Sequence, residues 1–415
     1  MARVFPFRPY RYSPQAGPLE SLLTQPYDKI TPEMQARYLS LSPYNLVRIE
    51  LGLKLPGDDA DNNVYTRAAA LLKDWIAAGI LIREPEAAVF PYVQEFTVPE
   101  TGERAVRQGF IALGAVEDYS AGIVHRHERT LSAPKQDRME LLKRTRAHTG
   151  QIFMLYPDPE GRLDRLLEQA TAAAPVAEVR DEYDVLHRIW RISDPDGIAR
   201  IRQLMSDKKL LIADGHHRYE TALAFRRENP ELPGADKVMM TFVNLHSAGL
   251  RILATHRLVT GLAGFDAADF LRRAQASFRV RAIGSVAELR KVFAEPAPGM
   301  ARIGVRAAGV EGIHLLECER GSRLALEVLH QDVLAALLGV SENAVREGQH
   351  LRYVRGLEAA VAAVDAAEAQ ATFLVEPVAI EDVARIAFSG GVMPQKSTDF
   401  YPKLLSGLTI YRLGE

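Results

Sequence analysis

The sequence predicts an α/β (α+β) protein built from more than one compact unit. Helical and strand patterns alternate along the chain, which favours a mixed fold over an all-α or an all-β fold. The chain has 415 residues, whereas a single domain typically holds about 100–200 residues. Hydrophobic residues make up 47% of the sequence and charged residues 25%, as in ordinary globular proteins. We therefore expect two or three packed units.

Composition argues against several classes of protein. The 51 Lys and Arg residues nearly balance the 53 Asp and Glu residues, which argues against a dedicated binder of nucleic acid or of anionic membranes. The single cysteine, Cys318, excludes an internal disulfide and a thiolate cluster such as iron–sulfur. No apolar run approaches the ~20 residues of a membrane span, and the N-terminus lacks a signal peptide's apolar stretch. We expect a cytoplasmic protein with a small-molecule substrate, and the oligomeric state stays open.

The order of the elements predicts three regions. Residues 1–120 form an N-terminal α/β region with helices at Pro32–Leu39 and Tyr65–Ala78, strands at Val89–Val98 and Gly109–Val116, and a hairpin turn at Pro99–Gly102 between the strands. Residues 121–260 form a core with helices at Asp137–Arg146, Asp164–Ala174, Gly197–Ser206 and Arg218–Glu228, and strands at Gln151–Tyr156 and Leu210–Ala213.

Residues 261–415 form a C-terminal α/β region that ends in a Lys-Ser-Thr loop. Its predicted helices are Ala267–Ser277, Val286–Phe293 and Asp332–Leu338, and its predicted strands are Ile303–Arg306 and Arg323–Val328. The pattern of helices and strands changes from about residue 260, which suggests a unit separate from the core.

The most informative segment has the sequence LLIADGHHR and ends at Arg218. It predicts a buried strand, a tight turn and the first turn of a helix, with Asp214 as the N-cap and Gly215 allowing the turn. Free N–H groups and the helix dipole attract an anion at a helix start. His216, His217 and Arg218 add donors there, since arginine grips phosphate oxygens in a bidentate way and histidine carries protons.

Two alternative roles for this segment stay open. An aspartate before a helix is an ordinary cap, and the two histidines would then satisfy only local hydrogen bonds. Adjacent histidines also ligate zinc, although they lack the i, i+4 spacing that places two ligands on one helix face. The metal is therefore left unspecified.

A charged segment between residues 125 and 146 combines His127 and Glu128 with Lys135, Asp137 and Arg138. A solvated helix face with i, i+3 ion pairs would explain this pattern. In a functional site, Glu128 or Asp137 would act as a base or magnesium ligand, and Lys135 and Arg138 would clamp phosphate. The zinc-protease pattern His-Glu-x-x-His does not occur here, because position 131 is leucine.

Further candidates lie nearer the C-terminus. Lys396, Ser397 and Thr398 either offer a cation and two hydroxyl groups to an anion or a substrate carboxylate, or belong to an ordinary surface turn. Their segment is not a P-loop, because Gln395 stands where that motif needs glycine. His256 follows an apolar run and either faces the same cleft or satisfies a structural hydrogen bond. No Gly-x-Gly-x-x-Gly pattern occurs, so NAD binding has no support.

Several motifs together resemble one family. They are Pro26-Tyr-Asp28, His127-Glu128, Lys135-Gln-Asp137-Arg138, the Asp-Gly-His-His-Arg-Tyr-Glu-Thr segment from Asp214 to Thr221, Thr255-His-Arg257, Met393-Pro-Gln-Lys-Ser-Thr398 and Phe400-Tyr-Pro-Lys403. They span nearly the whole chain, which looks like the domain-of-unknown-function 1015 family. The segment from Asp214 also resembles the helix-start motif of the ParB/sulfiredoxin superfamily, and most of all its free serine kinase branch. This resemblance implies a ParB/sulfiredoxin-like core in residues 121–260.

The motifs and the resemblance together predict a phosphoryl-transfer enzyme. The resemblance implies a small phosphorylated or hydroxylated metabolite as substrate, foremost serine or phosphoserine, and therefore a serine kinase or a phosphoserine phosphatase. The expected cofactors are Mg²⁺ and a nucleotide, ATP or ADP. The expected catalytic residues are Asp214, His216, His217, Arg218 and Glu128, and the expected substrate- or phosphate-binding residues are Gly215, His127, Lys135, Arg138, His256, Lys396, Ser397 and Thr398. The alternatives are a ParB-like nucleotide-binding switch and a metal-dependent hydrolase.

Overall fold

The structure, a computed structural model, describes residues 1–128 and 132–415. Arg129, Thr130 and Leu131 of the predicted charged segment lie outside the described residues, as do the side chains of residues 132–134 and 346. The chain divides into two compact units. Unit 1 contains Met1–Leu250 and Pro402–Glu415, and unit 2 contains Arg251–Tyr401.

Unit 1 is built around a mixed β-sheet. Its described strands are β1 Val4–Phe5, β2 Tyr10–Tyr12, β3 Leu81–Arg83, β4 Phe90–Thr97, β5 Arg104–Ala115, β6 Val124–His125, β7 Ala147–His148, β8 Ile152–Tyr156, β9 Ala177–Arg180, β10 Leu186–Ile189, β11 Leu210–Asp214, β12 Lys237–Asn244 and, near the C-terminus, β21 Tyr411–Arg412. The main sheet has the order β6-β11-β8-β12-β5-β4-β10-β9, with β1 beside β5. β6 runs parallel to β11 and β8 runs parallel to β12, whereas β11–β8 and β12–β5 are antiparallel.

Helices cover the main sheet of unit 1. They are α1 Pro32–Leu41, α2 Val47–Glu50, α3 Val64–Ala77, α4 Ser132–Thr145, α5 Arg162–Ala170, α6 Pro195–Met205 and α7 His216–Glu228. Leu163 of α5, Ile201 of α6 and Tyr219 of α7 join one apolar core with Phe110 and Phe242 of the sheet. α4 packs against both α3 and α7. The strand β12 is buried along nearly its whole length, so both faces of the sheet are covered there.

Unit 2 contains an antiparallel sheet with helices on both faces. Its described strands are β13 Arg251–Leu253, β14 Thr255–Val259, β15 Arg279–Ile283, β16 Met300–Ala307, β17 Ile313–Glu319, β18 Leu351–Arg355, β19 Ala371–Val375 and β20 Asp399–Tyr401, and its helices are α8 Ala267–Ala274, α9 Val286–Ala294, α10 Ala325–Val328, α11 Glu342–Arg346, α12 Leu357–Asp365 and α13 Ile380–Phe388. The sheet order is β15-β17-β16-β19-β14-β18. α8 and a π-helix at Leu329–Ala335 pack around Phe373 on one face, and α9 and α12 pack around Leu374 on the other.

The predicted α/β fold class is confirmed, but the three predicted regions differ from the two units. Strands β4 and β5, from predicted residues 1–120, share one sheet with β8, β11 and β12 of the predicted core. Residue 120 therefore marks no break between compact units. The predicted boundary after residue 260 lies near Arg251, where unit 2 begins, and Pro402–Glu415 belongs to unit 1.

One predicted strand is wrong. The segment Arg323–Val328 contains the short helix α10, which continues into the π-helix. The Glu327 carboxylate accepts a 2.6 Å hydrogen bond from the backbone N–H of Leu324 and so caps this helix. Leu326 and Val328 are buried. The apolar alternation that predicted a strand therefore comes from a short buried helix, which periodicity alone does not distinguish from a strand.

The helices of both units are short, and several have a side-chain cap. The longest described helices, α3 and α4, have 14 residues each. None of the helices in the described ranges is long and apolar enough to cross a membrane. Asn63 caps α3 and Asp194 caps α6, which satisfies N–H groups in their first turns. α7, like α5 and α12, has a glycine N-cap and no side-chain cap.

The core of unit 1 predicts the first measurable effect. Phe242 is fully buried and its ring stacks on that of Phe110, with centroids 5.0 Å apart. We expect Phe242→Ala to lower the free energy of unfolding by about 3–5 kcal/mol, because the lost contacts leave a cavity. The two tryptophans of the chain, Trp75 and Trp190, both lie in unit 1. Their fluorescence during urea unfolding reports this unit.

The matched control for this measurement is Val106→Ala in β5. The Val106 side chain is 57% exposed, so we expect its truncation to change the free energy of unfolding by less than about 0.5 kcal/mol. Equal effects of the two substitutions would show that Phe242 is not part of the stabilising core.

Candidate functional site

A sharp turn joins β11 to α7. Asp214 is the last residue of β11, Gly215 adopts φ 93° and ψ 26°, and α7 begins at His216. This left-handed conformation favours glycine. The prediction that Asp214 is the N-cap is wrong, because the chain turns directly after the strand and Gly215 takes the cap position. No side chain caps α7, so the N–H groups of its first turn can bind an anion.

The Asp214 carboxylate at this turn is surrounded by cations. Its Oδ2 lies 3.2 Å from Nη2 of Arg218, and its Oδ1 lies 3.6 Å from Nζ of Lys403. Burial by itself raises the pKa of this carboxyl, but the charges of Lys403, Arg218 and Lys29 outweigh burial and hold the pKa well below its usual range. Asp214 is therefore ionised at neutral pH and is a poor proton acceptor. Lys403 and Arg218 lie close to Asp214 and Lys29 acts on it through its charge, so three cations act at the start of α7.

The Arg218 guanidinium folds back over the turn. Its Nη1 donates a hydrogen bond to the backbone oxygen of Gln151, while its Nη2 contacts Asp214. A Cβ placed on Gly215 would lie only 3.2 Å from the guanidinium, so a larger residue at this position would crowd Arg218. A guanidinium has further N–H donors. Arg218 is thus anchored by the protein and can still offer donors to an anion.

Two neutral histidines form a buried pair beside the turn. The rings of His127 and His216 meet edge to face, with centroids 4.8 Å apart. Nδ1 of His127 donates to the backbone oxygen of Ile212 over 2.9 Å, because a carbonyl only accepts. Burial lowers the pKa of His127 to about 4, and burial together with His127 lowers the pKa of His216 well below its usual value. Nε2 of His216 has no hydrogen-bond partner among the described residues.

Arg138 is enclosed by protein groups. Its Nε and Nη2 lie 2.8 and 2.5 Å from Oδ2 of Asp137, and its Nη1 donates to the backbone oxygen of Glu50 over 2.9 Å. The Glu50 carboxylate lies 3.5 Å from Nη1, and the guanidinium lies 4.1 Å above the ring of Tyr27. A cavity of about 40 Å³ is lined by Arg138, Glu50 and Arg218. A phosphate at Arg138 would therefore compete with two carboxylates.

The remaining predicted residues of unit 1 flank α7. Nζ of Lys135 lies 2.6 Å from Oε2 of Glu220, and Arg126 lies 3.2 Å from the other oxygen of that carboxylate. Lys135 is thus paired with a carboxylate of α7, the helix that follows the turn. His217 and Glu128 are half-buried. Glu128 follows β6, the strand that pairs with β11.

Four predicted site residues lie in unit 2, and His256 is the most deeply buried of them. It lies in β14, and its Nδ1 accepts a 3.2 Å hydrogen bond from the backbone N–H of Val375. Its Nε2 therefore carries the proton in the neutral form, and it has no partner among the described residues. Burial lowers the pKa of His256 to about 4, so the ring is uncharged at pH 7.

The other three residues form the loop before β20. Lys396 has a φ of 55° and an exposed side chain, and its backbone oxygen accepts a 3.1 Å hydrogen bond from Nη2 of Arg257. Ser397 is buried and donates to the backbone oxygen of Pro394 over 2.6 Å. Its hydroxyl therefore closes the loop, and Thr398 is half-buried beside it. In this loop, Lys396 is the best placed to contact a ligand.

Sequence reasoning missed residues that the structure adds to the site. Lys403 belongs to the recognised motif that begins at Phe400, but only its ion pair with Asp214 reveals a role. Lys29 lies next to another motif and acts on Asp214 through its charge. Glu50 lies in the short helix α2, where a buried carboxylate is itself a signal of a partner. The described residues include no group of three or more His, Cys, Asp or Glu side chains that could hold a metal ion.

These features define a two-unit α/β protein with a cationic, uncapped strand–turn–helix site. A family model described as "Protein of unknown function (DUF1015)" matches residues 4–333. The chain therefore belongs to the DUF1015 family, as its motifs predicted. A search of curated proteins found no match to the chain.

Several solved structures are similar at low identity. A conserved hypothetical protein from Pyrococcus furiosus is 15% identical, with 69% of this chain and 92% of that chain covered and a TM-score of 0.35. A free serine kinase in complex with AMP is 14% identical, with 69% and 89% covered and a TM-score of 0.37. SbnI from Staphylococcus aureus with a C-terminal truncation is 10% identical, with 72% and 87% covered and a TM-score of 0.36. Because these likenesses are distant, we base the function on the residues of unit 1.

The buried His127 predicts how the stability of unit 1 depends on pH. Its pKa is about 4 in the folded state and about 6.5 in an unfolded chain. The unfolded state therefore binds more protons between these values, so stability is complete above pH 6.5 and falls as the pH drops through this window. From pH 7 to pH 5, this group alone removes about 2 kcal/mol of stability.

We expect His127→Asn to reduce this loss by about 2 kcal/mol, because the asparagine amide still donates to the Ile212 carbonyl but does not titrate. The measurement is urea unfolding at pH 7 and pH 5, followed by tryptophan fluorescence. Unfolding at pH 7 and pH 8.5 serves as the internal control, since both proteins should change alike there. An equal loss of stability in both proteins between pH 7 and pH 5 would contradict the assigned neutral state of His127.

Proposed function

We propose that unit 1 binds a phosphate group at the turn Gly215–Arg218 and transfers a phosphoryl group between a nucleotide and a small hydroxylated metabolite. The resemblance of the motif from Asp214 to that of the free serine kinase branch supports serine or phosphoserine as the substrate. The reverse direction, or hydrolysis of phosphoserine, would use the same site.

The observation that carries this proposal is the charge balance at the start of α7. The Asp214 carboxylate is held by Arg218 and Lys403, and Lys29 adds a third positive charge. The first turn of α7 adds uncapped N–H groups and the positive end of its dipole. A dianionic phosphate would be attracted by these cations and by the helix dipole, whereas a neutral or cationic ligand would not.

Phosphoryl transfer needs positioned charge more than covalent participation of the protein. In the kinase direction, the serine hydroxyl oxygen bonds to the γ-phosphorus of ATP, the bond from that phosphorus to the β–γ bridging oxygen breaks, and ADP leaves with the electron pair. Arg218 and Lys403 stabilise the charge on the transferred group. The hydroxyl proton goes to a base, for which we propose Glu128, because Asp214 is held ionised by its cations.

His216 is the proposed proton carrier. Its ring is neutral in the free protein, and its Nε2 is buried without a partner among the described residues. A bound phosphate would favour the charged imidazolium and so raise the pKa of His216. Phosphate binding would thus be coupled to proton uptake beside the reacting group.

In this proposal, magnesium would bind together with the phosphates of the nucleotide. Mg²⁺ is usually bound by carboxylates together with substrate phosphates rather than by a cage of protein ligands. Asp214 is already neutralised by Lys403 and Arg218, which makes it a poor metal ligand. When bound, the ion would neutralise charge on the nucleotide phosphates, and Glu128 stays the proposed base.

Phosphorus NMR tests this proposal directly. Purified protein is mixed with magnesium and phosphoserine, with and without ADP, and the phosphorus signals are followed over time. Nucleotide-dependent loss of phosphoserine with formation of ATP is the expected result. Release of free phosphate without nucleotide would instead identify a phosphatase. We expect Arg218→Ala to slow the reaction by roughly 100–1000-fold, because it removes a preorganised charge from the transferred group.

The matched control is Arg227→Ala, which removes an exposed arginine from the far end of the same helix. Arg227 pairs with Asp118, away from the turn, so its loss should leave the rate unchanged. Nucleotide binding without any turnover would favour the nucleotide-switch alternative. Equal rates for the wild-type protein and Arg218→Ala would contradict the placement of the site.

A further inference from the structure

Two polar residues on neighbouring strands of unit 1 form a buried pair. Gln94 of β4 and Arg107 of β5 lie directly opposite each other in the antiparallel ladder. Both are almost completely buried. Nε of Arg107 donates to Oε1 of Gln94 over 3.0 Å, and Nη2 donates to the same oxygen. Burial lowers the pKa of Arg107 to about 10, so the guanidinium is still charged at neutral pH and its burial needs a reason.

The pair binds the main chain on both sides of Lys403. Nη2 of Arg107 donates to the backbone oxygen of Pro402 over 2.5 Å, and Nε2 of Gln94 donates to the backbone oxygen of Lys403 over 2.9 Å. Pro402 to Leu405 lies in neither a helix nor a strand. Its carbonyl groups therefore have no regular backbone ladder, and side chains supply their donors.

The orientation of the Gln94 amide is fixed by this arrangement. An arginine only donates and a carbonyl only accepts. The amide oxygen must therefore face Arg107, and the amide nitrogen must face Lys403. A second set of bonds supports the strand, since Tyr92 contacts Nδ1 of His187 at 2.7 Å and Nε2 of His187 lies 3.1 Å from Asp181.

The geometry points to Gln94 and Arg107 as positioning residues that hold Lys403 against Asp214. This inference rests on the proposed function, because it assigns the way in which one cation of the phosphate site is kept in place. Lys403 has a flexible stem, and its ammonium is a point charge without the fixed fork of an arginine. Anchoring its own backbone and that of Pro402 limits where Nζ can lie, and Nζ is 3.6 Å from the Asp214 carboxylate.

The first test measures the accessibility of Lys403 without any ligand. The Lys403 side chain is only 8% exposed, so it should react slowly with an amine-acylating reagent, as followed by mass spectrometry. We expect Gln94→Met to increase the acylation rate of Lys403 several-fold and to leave distant lysines unchanged. The matched control is Gln108→Met, which removes a Gln side chain whose 2.8 Å hydrogen bond goes to the backbone oxygen of Asp164 instead. An unchanged rate in Gln94→Met would overturn the inference.

Gln94→Glu provides a second variant with a smaller structural change. A glutamate still accepts from Arg107 but has no N–H to donate to the Lys403 carbonyl. It should therefore fold at least as well as the methionine variant and still expose Lys403. Full protection of Lys403 in the glutamate variant would show that the Gln94–Lys403 bond does not position this residue.

The second test asks whether Gln94 acts through Lys403. Binding of inorganic phosphate is measured for Gln94→Met, Lys403→Met and the double variant. A positioning role predicts that each single substitution weakens phosphate binding and that the double variant is no weaker than Lys403→Met. Additive losses would indicate a general structural effect and would overturn the inference. If wild-type protein does not bind phosphate, the proposed function fails, whereas the acylation measurement still decides the positioning role.

Discussion

The ion pair between the half-buried Asp214 carboxylate and its two nearest cations constrains much of unit 1. A carboxylate removed from water costs several kcal/mol unless it is paired, and Asp214 lies at the end of a strand inside the main sheet. Its partner Lys403 comes from the far end of the sequence. The chain therefore returns to unit 1 after Tyr401, and its last segment closes the unit by pairing β21 with β7.

The same constraint explains the form of the turn. A residue with a Cβ at position 215 would be strained at this φ and would crowd the Arg218 guanidinium. Glycine permits the turn, and the turn leaves α7 without a side-chain cap. The feature that pairs Asp214 with Arg218 thus also leaves the helix start free to bind an anion. The conformation of Gly215 therefore accounts both for the turn and for the uncapped helix start at the proposed phosphate site.

Local features of the sequence predicted local structure well. The periodic segment Arg218–Glu228 is helical, and the hairpin turn at Pro99–Gly102 joins β4 to β5. The error at Arg323–Val328 arose because a short buried helix and a strand can share an apolar pattern. Aspartate is a preferred N-cap residue, but the left-handed conformation of Gly215 places the glycine, and not Asp214, at the N-cap of α7. The second failure concerns a single turn, where one residue decides the geometry.

Long-range charge pairing was not predictable from one sequence. Lys135 and Arg138 stand together in the sequence as two cations, yet the structure pairs Lys135 with Glu220 and encloses Arg138 between Asp137 and Glu50. The net charge that a ligand meets depends on which carboxylates reach which cations. That depends on packing between α4, α7 and α2 rather than on spacing along the chain. At the α7 turn, by contrast, Arg218 and Lys403 both lie close to the single carboxylate of Asp214.

Lys396 and Lys403, the two lysines of the recognised C-terminal motifs, are held by the same kind of hydrogen bond. The carbonyl of Lys403 is bound by Gln94 in unit 1, and the carbonyl of Lys396 is bound by Arg257 in unit 2. In each unit a buried polar side chain on a strand replaces the missing backbone ladder of an irregular segment. Gln94 and Arg257 are costly to bury, so their place in the strands is best explained by the loops they hold. Buried polar residues on these strands therefore connect the core of each unit to the irregular segments that carry Lys403 and Lys396.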